Sequence, residues 1–241
     1  MKEVISKMKE MRLPIMAAEL EVLLQSKDYS KLSANEVVQK IVEAEYQAEK
    51  IHTINRYIKQ AKFTDSTARL ENIDYAPDRK INDSLIKQLS SNQYIQNHRN
   101  VIILGATGSG KSFIANGLGI HACQAYYRTQ YRRLPELLDE LSIAKAEGCL
   151  TKIINQFQKS ELVIIDDFLL VQTTPTEQQN LMEFFEYRSR GKSTILCSQM
   201  ETSEWHDKLG GSALADAICD RILSNSYEII LQGDSRRKQS K

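Results

Sequence analysis

The sequence predicts an α/β fold: a five-stranded parallel P-loop sheet flanked by helices, preceded by a small all-helical N-terminal domain and followed by no C-terminal lid domain. Three observations carry this expectation. Residues 105–112 read Gly105-Ala106-Thr107-Gly108-Ser109-Gly110-Lys111-Ser112, a complete phosphate-binding loop. From residue 100 onward, strand-sized apolar runs alternate with segments of helical period, the pattern of a parallel sheet covered on both faces. Residues 1–65 instead carry apolar side chains at three- and four-residue spacing.

Taken in order, Leu13, Met16, Ala17, Leu20, Leu23 and Leu24 mark an amphipathic helix. A longer helix opens at Ser33, where Ser33-Ala34-Asn35-Glu36 has the form of a capping box. Its apolar face runs through Val37, Ile41, Ala44, Ala48, Ile51, Ile54 and Ile58. Its polar face mixes Lys40, Lys50, Arg56, Lys59 and Lys62 with Glu36, Glu43, Glu45 and Glu49, which suits a solvated face as well as a DNA-contacting one. Residues 66–99 form a linker with the turn signal Asp74-Tyr75-Ala76-Pro77-Asp78 and one short helix. The α/β domain then covers 100–241, with strands expected at 101–104, 126–131, 162–166, 194–198 and 227–231 and a helix from Leu134 to Glu147 between the second and third.

The loop carries the chemistry. Gly105, Gly108 and Gly110 permit backbone angles and a close approach that a Cβ would obstruct, so that successive N–H groups turn inward around a phosphate. Lys111 reaches the β- and γ-phosphates and the Ser112 hydroxyl suits Mg²⁺, while the helix that follows offers its N-terminus to the anion. ATP and Mg²⁺ are the expected ligands. Leu162-Val163-Ile164-Ile165-Asp166-Asp167 is an apolar strand ending in two carboxylates. Asp166 is placed to hold the Mg²⁺ hydration shell and Asp167 to orient or deprotonate a water, which argues for hydrolysis. Ser193 to Gln199 is a third strand ending in polar residues. If it lies between the first two, Ser198 or Gln199 points toward the γ-phosphate, with Gln199 the expected one of the two.

Composition bounds the rest. The chain is 41% hydrophobic and 26% charged with a net charge of +1, so attraction to nucleic acid has to come from local patches. The four cysteines are widely spaced, which suits reduced, buried thiols in a cytoplasmic protein rather than a zinc site. The longest apolar runs are strand-sized, and no membrane partner is expected.

The order of phosphate loop, Tyr131-Arg132-Arg133-Leu134-Pro135-Glu136, Ile164-Ile165-Asp166-Asp167-Phe168, Cys197-Ser198-Gln199, Trp205-His206 and Leu214-Ala215-Asp216-Ala217-Ile218-Cys219-Asp220-Arg221 resembles the IstB-like transposition helper ATPases, DnaC-related members of the AAA+ class (ASCE-type sheet). The resemblance runs from the N-terminal helices to the Ser235-Arg236-Arg237-Lys238 tail. It implies an ATPase that forms homo-oligomers on duplex DNA and serves a transposase. With the same engine, a loader acting on a replicative helicase is the alternative, as is a nucleotide-gated scaffold with little hydrolysis. Under the resemblance Arg221 reaches the γ-phosphate of a neighbouring subunit; by its residues alone it is a helix arginine paired with a nearby carboxylate. Arg128, Arg132 and Arg133, interleaved with Tyr127 and Tyr131, are the expected DNA contacts, with Arg236, Arg237, Lys238 and Lys241 as a second candidate. In two respects the chain departs from the family: Phe168-Leu169 stands where many members have Gly after the aromatic residue, and the stretch Gln47 to Lys59 is poorer in Arg than the N-terminal helix of many members.

Overall fold

The computed structural model describes residues 1–233, and the basic residues at 236–238 and 241 therefore lie outside the described region. The chain divides into two compact units, Met1–Arg56 and one beginning at Tyr57.

The first unit holds α1 (Lys2–Glu10), α2 (Pro14–Gln25) and most of α3 (Ala34–Ala61). Its core is small: Ile5, Ala17, Leu20, Leu23 and Ile41. The expected stripe on α2 is buried as its spacing requires. Helix α1 lies ahead of the first helix the pattern marks; it buries Ile5, with Met8 packed beside it, while Val4 stays exposed. The α3 capping box forms: the Ser33 amide and hydroxyl both donate to Glu36 Oε2, and the Glu36 amide donates back to Ser33 Oγ. The apolar face of α3 is less complete than its periodicity suggests, since Ile51 is exposed. Helix α2 opens on Leu13 with no side-chain cap of its own; instead the Met16 amide donates to the buried Glu45 Oε2 at 2.7 Å.

The second unit begins with the end of α3 and the linker. Two 3₁₀ turns, Leu70–Asn72 and Pro77–Arg79, precede α4 (Asp83–Ser90) and the single-turn α5 (Gln93–Gln96). Then follow β1 (Asn100–Gly105), α6 (Lys111–Gln124), β2 (Thr129–Arg133), α7 (Leu134–Ala146), α8 (Leu150–Gln158), β3 (Leu162–Asp166), α9 (Pro175–Arg188), β4 (Ser193–Ser198), α10 (Trp205–Lys208), α11 (Ala213–Leu223) and β5 (Ser226–Leu231). The five strands form one parallel sheet in the order β2-β3-β4-β1-β5. β4 thus lies between the loop strand and the acidic strand, as Gln199 requires.

Alternate residues of the central strands go to opposite cores, as the two-residue period of a strand dictates. Ile102, Val163, Ile165 and Leu196 join Leu137, Leu141, Phe184 and Ile218 on one face. Val101, Ile103, Ile164 and Ile195 join Ile86, Ile114 and Leu118 on the other. β2 departs from expectation: it covers 129–133 rather than 126–131. Tyr126 has a left-handed φ of 66°, and both it and Tyr127 donate backbone bonds to the last turn of α6, so the chain is still leaving that helix. Two helices also fill the β2–β3 connection, because Gly148 at φ 69° ends the first.

Candidate nucleotide site

The C-terminal ends of β1, β3 and β4 open onto one cleft of about 790 Å³, the position a parallel sheet reserves for ligands. Thr107, Lys111, Ser112, Asp166, Asp167 and Gln199 all line it. The structure therefore brings the expected loop, metal-side carboxylate, water-side carboxylate and polar residue together from three separate segments of sequence.

The loop leaves β1 at Gly105 (φ 152°) and enters α6 through Gly110 (φ 96°). At Gly105 a Cβ would lie 2.6 Å from the Leu231 carbonyl, so packing against the end of β5 leaves no room for a side chain there. Ala106 accepts from the Ser109 amide, closing the turn. Lys111 is buried and its Nζ donates to the carbonyls of Gly105 and Ala106 at 2.7 and 2.9 Å. This folds the ammonium over the loop, where phosphate oxygens are better acceptors than neutral carbonyls.

Asp166 ends β3 buried at the wall of the cleft. Its Oδ2 accepts from Tyr131 Oη at 2.7 Å and its Oδ1 from the Asp167 amide at 2.9 Å. Burial and the adjacent carboxylate push the Tyr131 hydroxyl well above its ordinary range, so it stays a donor. The hydroxyl of Ser112 and the carboxylate of Asp166 are hard oxygen donors facing one cleft, a set that fits Mg²⁺.

Asp167 sits at φ 54° and carries a two-pronged ion pair: Arg133 donates from Nε at 2.8 Å and from Nη2 at 2.7 Å to Oδ2. Arg133 also lines the cleft, so this arginine faces the nucleotide site. The other two expected DNA contacts lie elsewhere. Arg132 is half-buried, bonded to Glu140 at 3.0 Å and set over the Phe157 ring. Arg128 is exposed at the opposite, N-terminal end of β2, beside Tyr57. The three do not form one surface.

Gln199 Oε1 accepts from Thr107 Oγ1 at 2.7 Å, tying the end of β4 to the loop. Ser198, the alternative, is buried and donates to the Phe168 carbonyl. Arg221, on α11, is not among the residues lining the cleft. Its Nε and Nη2 bond Glu186 of α9 at 2.7 and 2.5 Å, and its Nη1 bonds the Ala217 carbonyl. Arg190 and Arg221 together hold the Glu186 carboxyl below its usual range.

Two residues at the site escape pattern reading. Asp65 lines the cleft and is held below the usual carboxylate range by Thr67, whose hydroxyl and amide it accepts. The Asp65-Ser66-Thr67 order marks an Asx turn, but nothing in it points to the loop. Arg79 is buried beneath the loop, and its position in a linker gives no hint of this.

A phosphate loop between β1 and α6, with β4 inserted between it and an acidic β3, defines the class: a P-loop nucleotide-binding protein of AAA+ type. A sequence model of the IstB-like ATP binding proteins matches residues 6–241, and the chain belongs to that family. It is 30% identical over 237 residues to the insertion sequence ATP-binding protein y4pL of Sinorhizobium fredii, covering 98% of this chain and 96% of that one. With the insertion sequence IS21 ATP-binding protein of Pseudomonas aeruginosa it shares 26% over 222 residues, 92% of this chain and 83% of the other. Among solved structures, AMPPCP-bound DnaA from Aquifex aeolicus superposes with TM-score 0.57 at 21% identity; 74% of this chain matches about half, 55%, of that one. The DnaC helicase loader gives 0.56 at 18% identity, over 68% of this chain and 97% of the loader. Among the described residues, no helix is long and apolar enough to cross a membrane.

Proposed function

We propose that the chain is a cytoplasmic, Mg²⁺-dependent ATPase that assembles on duplex DNA and assists a transposase in using that DNA as a target. The observation that carries the hydrolytic part is the convergence of Lys111, Asp166, Asp167 and Gln199 on one cleft. The transposition part is supported by the insertion-sequence relatives of similar length.

In this reading the loop amides and Lys111 bind the β- and γ-phosphates, Lys111 exchanging its two loop carbonyls for phosphate oxygens. Ser112 and Asp166 hold Mg²⁺, which supplies charge neutralisation of the triphosphate when bound. Tyr131 and the Asp167 amide fix the Asp166 carboxylate. Asp167 accepts the proton of the attacking water once its carboxylate is turned from Arg133. Gln199, fixed through Thr107, orders that water by hydrogen bonding. Arg221 acts on the γ-phosphate of a neighbouring subunit after giving up Glu186. Of the three basic candidates, Arg128 is exposed just ahead of β2 and outside the cleft, and it is the one left for DNA, since Arg132 is half-buried on Glu140 and Arg133 is paired with Asp167. A helicase loader remains the second reading, supported by the DnaC-like fold.

The test is ATP turnover with and without duplex DNA across protein concentration. Stimulation by DNA with a steep concentration dependence is expected. Turnover indifferent to both would overturn the assembly reading while leaving the ATP site in place.

A further inference from the structure

The guanidinium of Arg79 lies directly under the phosphate loop. Its Nη2 donates to the Ser109 carbonyl at 2.5 Å and its Nη1 to the Asp74 carbonyl at 2.7 Å, and the side chain is 5% exposed. Packing against Gly110 is tight enough that a Cβ there would lie 2.7 Å from Nη2. This gives Gly110 a second reason to be glycine besides its φ of 96°.

We propose that Arg79 is a positioning residue of the nucleotide site, which fixes and polarises the Ser109–Gly110 peptide so that the loop binds a nucleoside triphosphate, without itself touching the phosphates. The proposal rests on the ATP-binding reading and adds a residue to it. In a loop that turns its N–H groups inward, the carbonyls face outward; Lys111 meets those of Gly105 and Ala106 from within the loop, whereas Ser109 O is met by a guanidinium from the linker. A charged donor on that carbonyl draws electron density toward oxygen, leaving the amide of Gly110 on the same peptide unit a stronger donor to an anion.

The placement is preorganised by contacts independent of the loop. Pro77 sets the start of the turn, the Arg79 amide donates to the Ala76 carbonyl, and Lys80 follows at φ 48°. The Arg79 carbonyl accepts from the Gln232 amide at 3.1 Å, just beyond β5, and a Cβ at Gly233 would lie 2.7 Å from Asp78. The turn is thus anchored to the end of the sheet, and the guanidinium is aimed from there at Ser109.

The experiment is titration of full-length protein with a fluorescent ATP analogue and with ADP, beside steady-state kinetics. If the parent protein fails to bind nucleotide, the ATP reading itself fails. Given binding by the parent, Arg79→Gln is expected to weaken affinity for both nucleotides by about tenfold or more, the scale of one hydrogen bond to a charged group. The loss should sit in KM, with kcat at saturating ATP within about twofold, because the groups acting on water are untouched. Arg79→Lys should recover part of the affinity by restoring the charge without the fork. Pro77→Ala, which loosens the same turn while keeping the guanidinium, separates positioning from folding. Affinity of Arg79→Gln within twofold of the parent would overturn the proposal. So would a loss matched by Pro77→Ala at equal change in melting temperature, or a loss confined to kcat.

Discussion

At the scale of single residues, the pairing of Arg133 with Asp167 changes what each can be expected to do. An arginine that spends its fork on a cleft carboxylate has little left for a DNA phosphate, and Asp167 has to be turned from it before accepting a proton. Arg133→Ala should therefore alter the turnover of bound ATP several-fold while leaving the salt dependence of DNA binding close to that of the parent. A DNA contact would instead flatten that dependence by about one ion. Asp167→Asn should keep ATP affinity and lower turnover by about 10² or more, the contribution of a positioned base. Unchanged turnover would make Asp167 structural. The cysteines offer a separate check on burial. Removal from solvent pushes the Cys123 thiol up to about 11 and raises Cys197 well above its usual value. Alkylation of the native protein at pH 8 should spare both, and labelling of either at the rate of a free thiol would contradict the cores described above.

Elements show where sequence is sufficient and where it is not. β3 and the loop were legible because each carries its own signal, a fully apolar run and a glycine pattern with one known geometry. The α3 cap was legible because Ser33 and Glu36 bond each other locally. β2 was misplaced at both ends: aromatic Tyr126 and Tyr127 suit a strand, but the turn out of α6 claims them, and Arg132 and Arg133 lie on a strand at the sheet edge where polar side chains are tolerated. Arg79, Asp65 and the Arg133 pair were illegible for one shared reason, that what each meets at the site, the Ser109 carbonyl, the cleft or Asp167, is distant in sequence. Leu169 explains the missing glycine of the family: it sits at φ 56°, where glycine fits without strain, yet its side chain is fully buried. Leu169→Gly should relieve about 1 kcal/mol of backbone strain and lose about 2–3 kcal/mol of burial, a net loss of stability read as a lower urea midpoint. An increase would mean that the strain dominates. In the first unit, Glu45→Ala removes the only side-chain cap at the start of α2 among the described residues and should cost about 1 kcal/mol locally. Faster hydrogen exchange at the Met16 amide measures it, and unchanged exchange would mean that the cap contributes nothing.

At the scale of the whole molecule, a net charge of +1 gives no general attraction to DNA, and turnover in the proposed assembly depends on what one subunit lends another. Arg221 is the residue on which that idea turns. Within a subunit it is satisfied by Glu186 and by the Ala217 carbonyl, so reaching a neighbour's γ-phosphate means exchanging one anion for a more highly charged one. The exchange is favourable only when a loaded loop faces it, and activity should then rise with assembly rather than with ATP occupancy alone. Arg221→Ala should bind ATP about as tightly as the parent and lose turnover, whereas Lys111→Ala should lose binding. Each variant alone is inactive for a different reason. Mixed together and shown to co-assemble on DNA, they should regain turnover at those boundaries where the intact arginine of one protein meets the intact loop of the other. Glu186→Gln provides the complementary sign: weakening the hold within a subunit should free Arg221 and raise turnover at limiting protein concentration. Mixed assemblies that stay silent, together with a Glu186→Gln protein no more active than its parent, would leave Arg221 as a brace between α9 and α11.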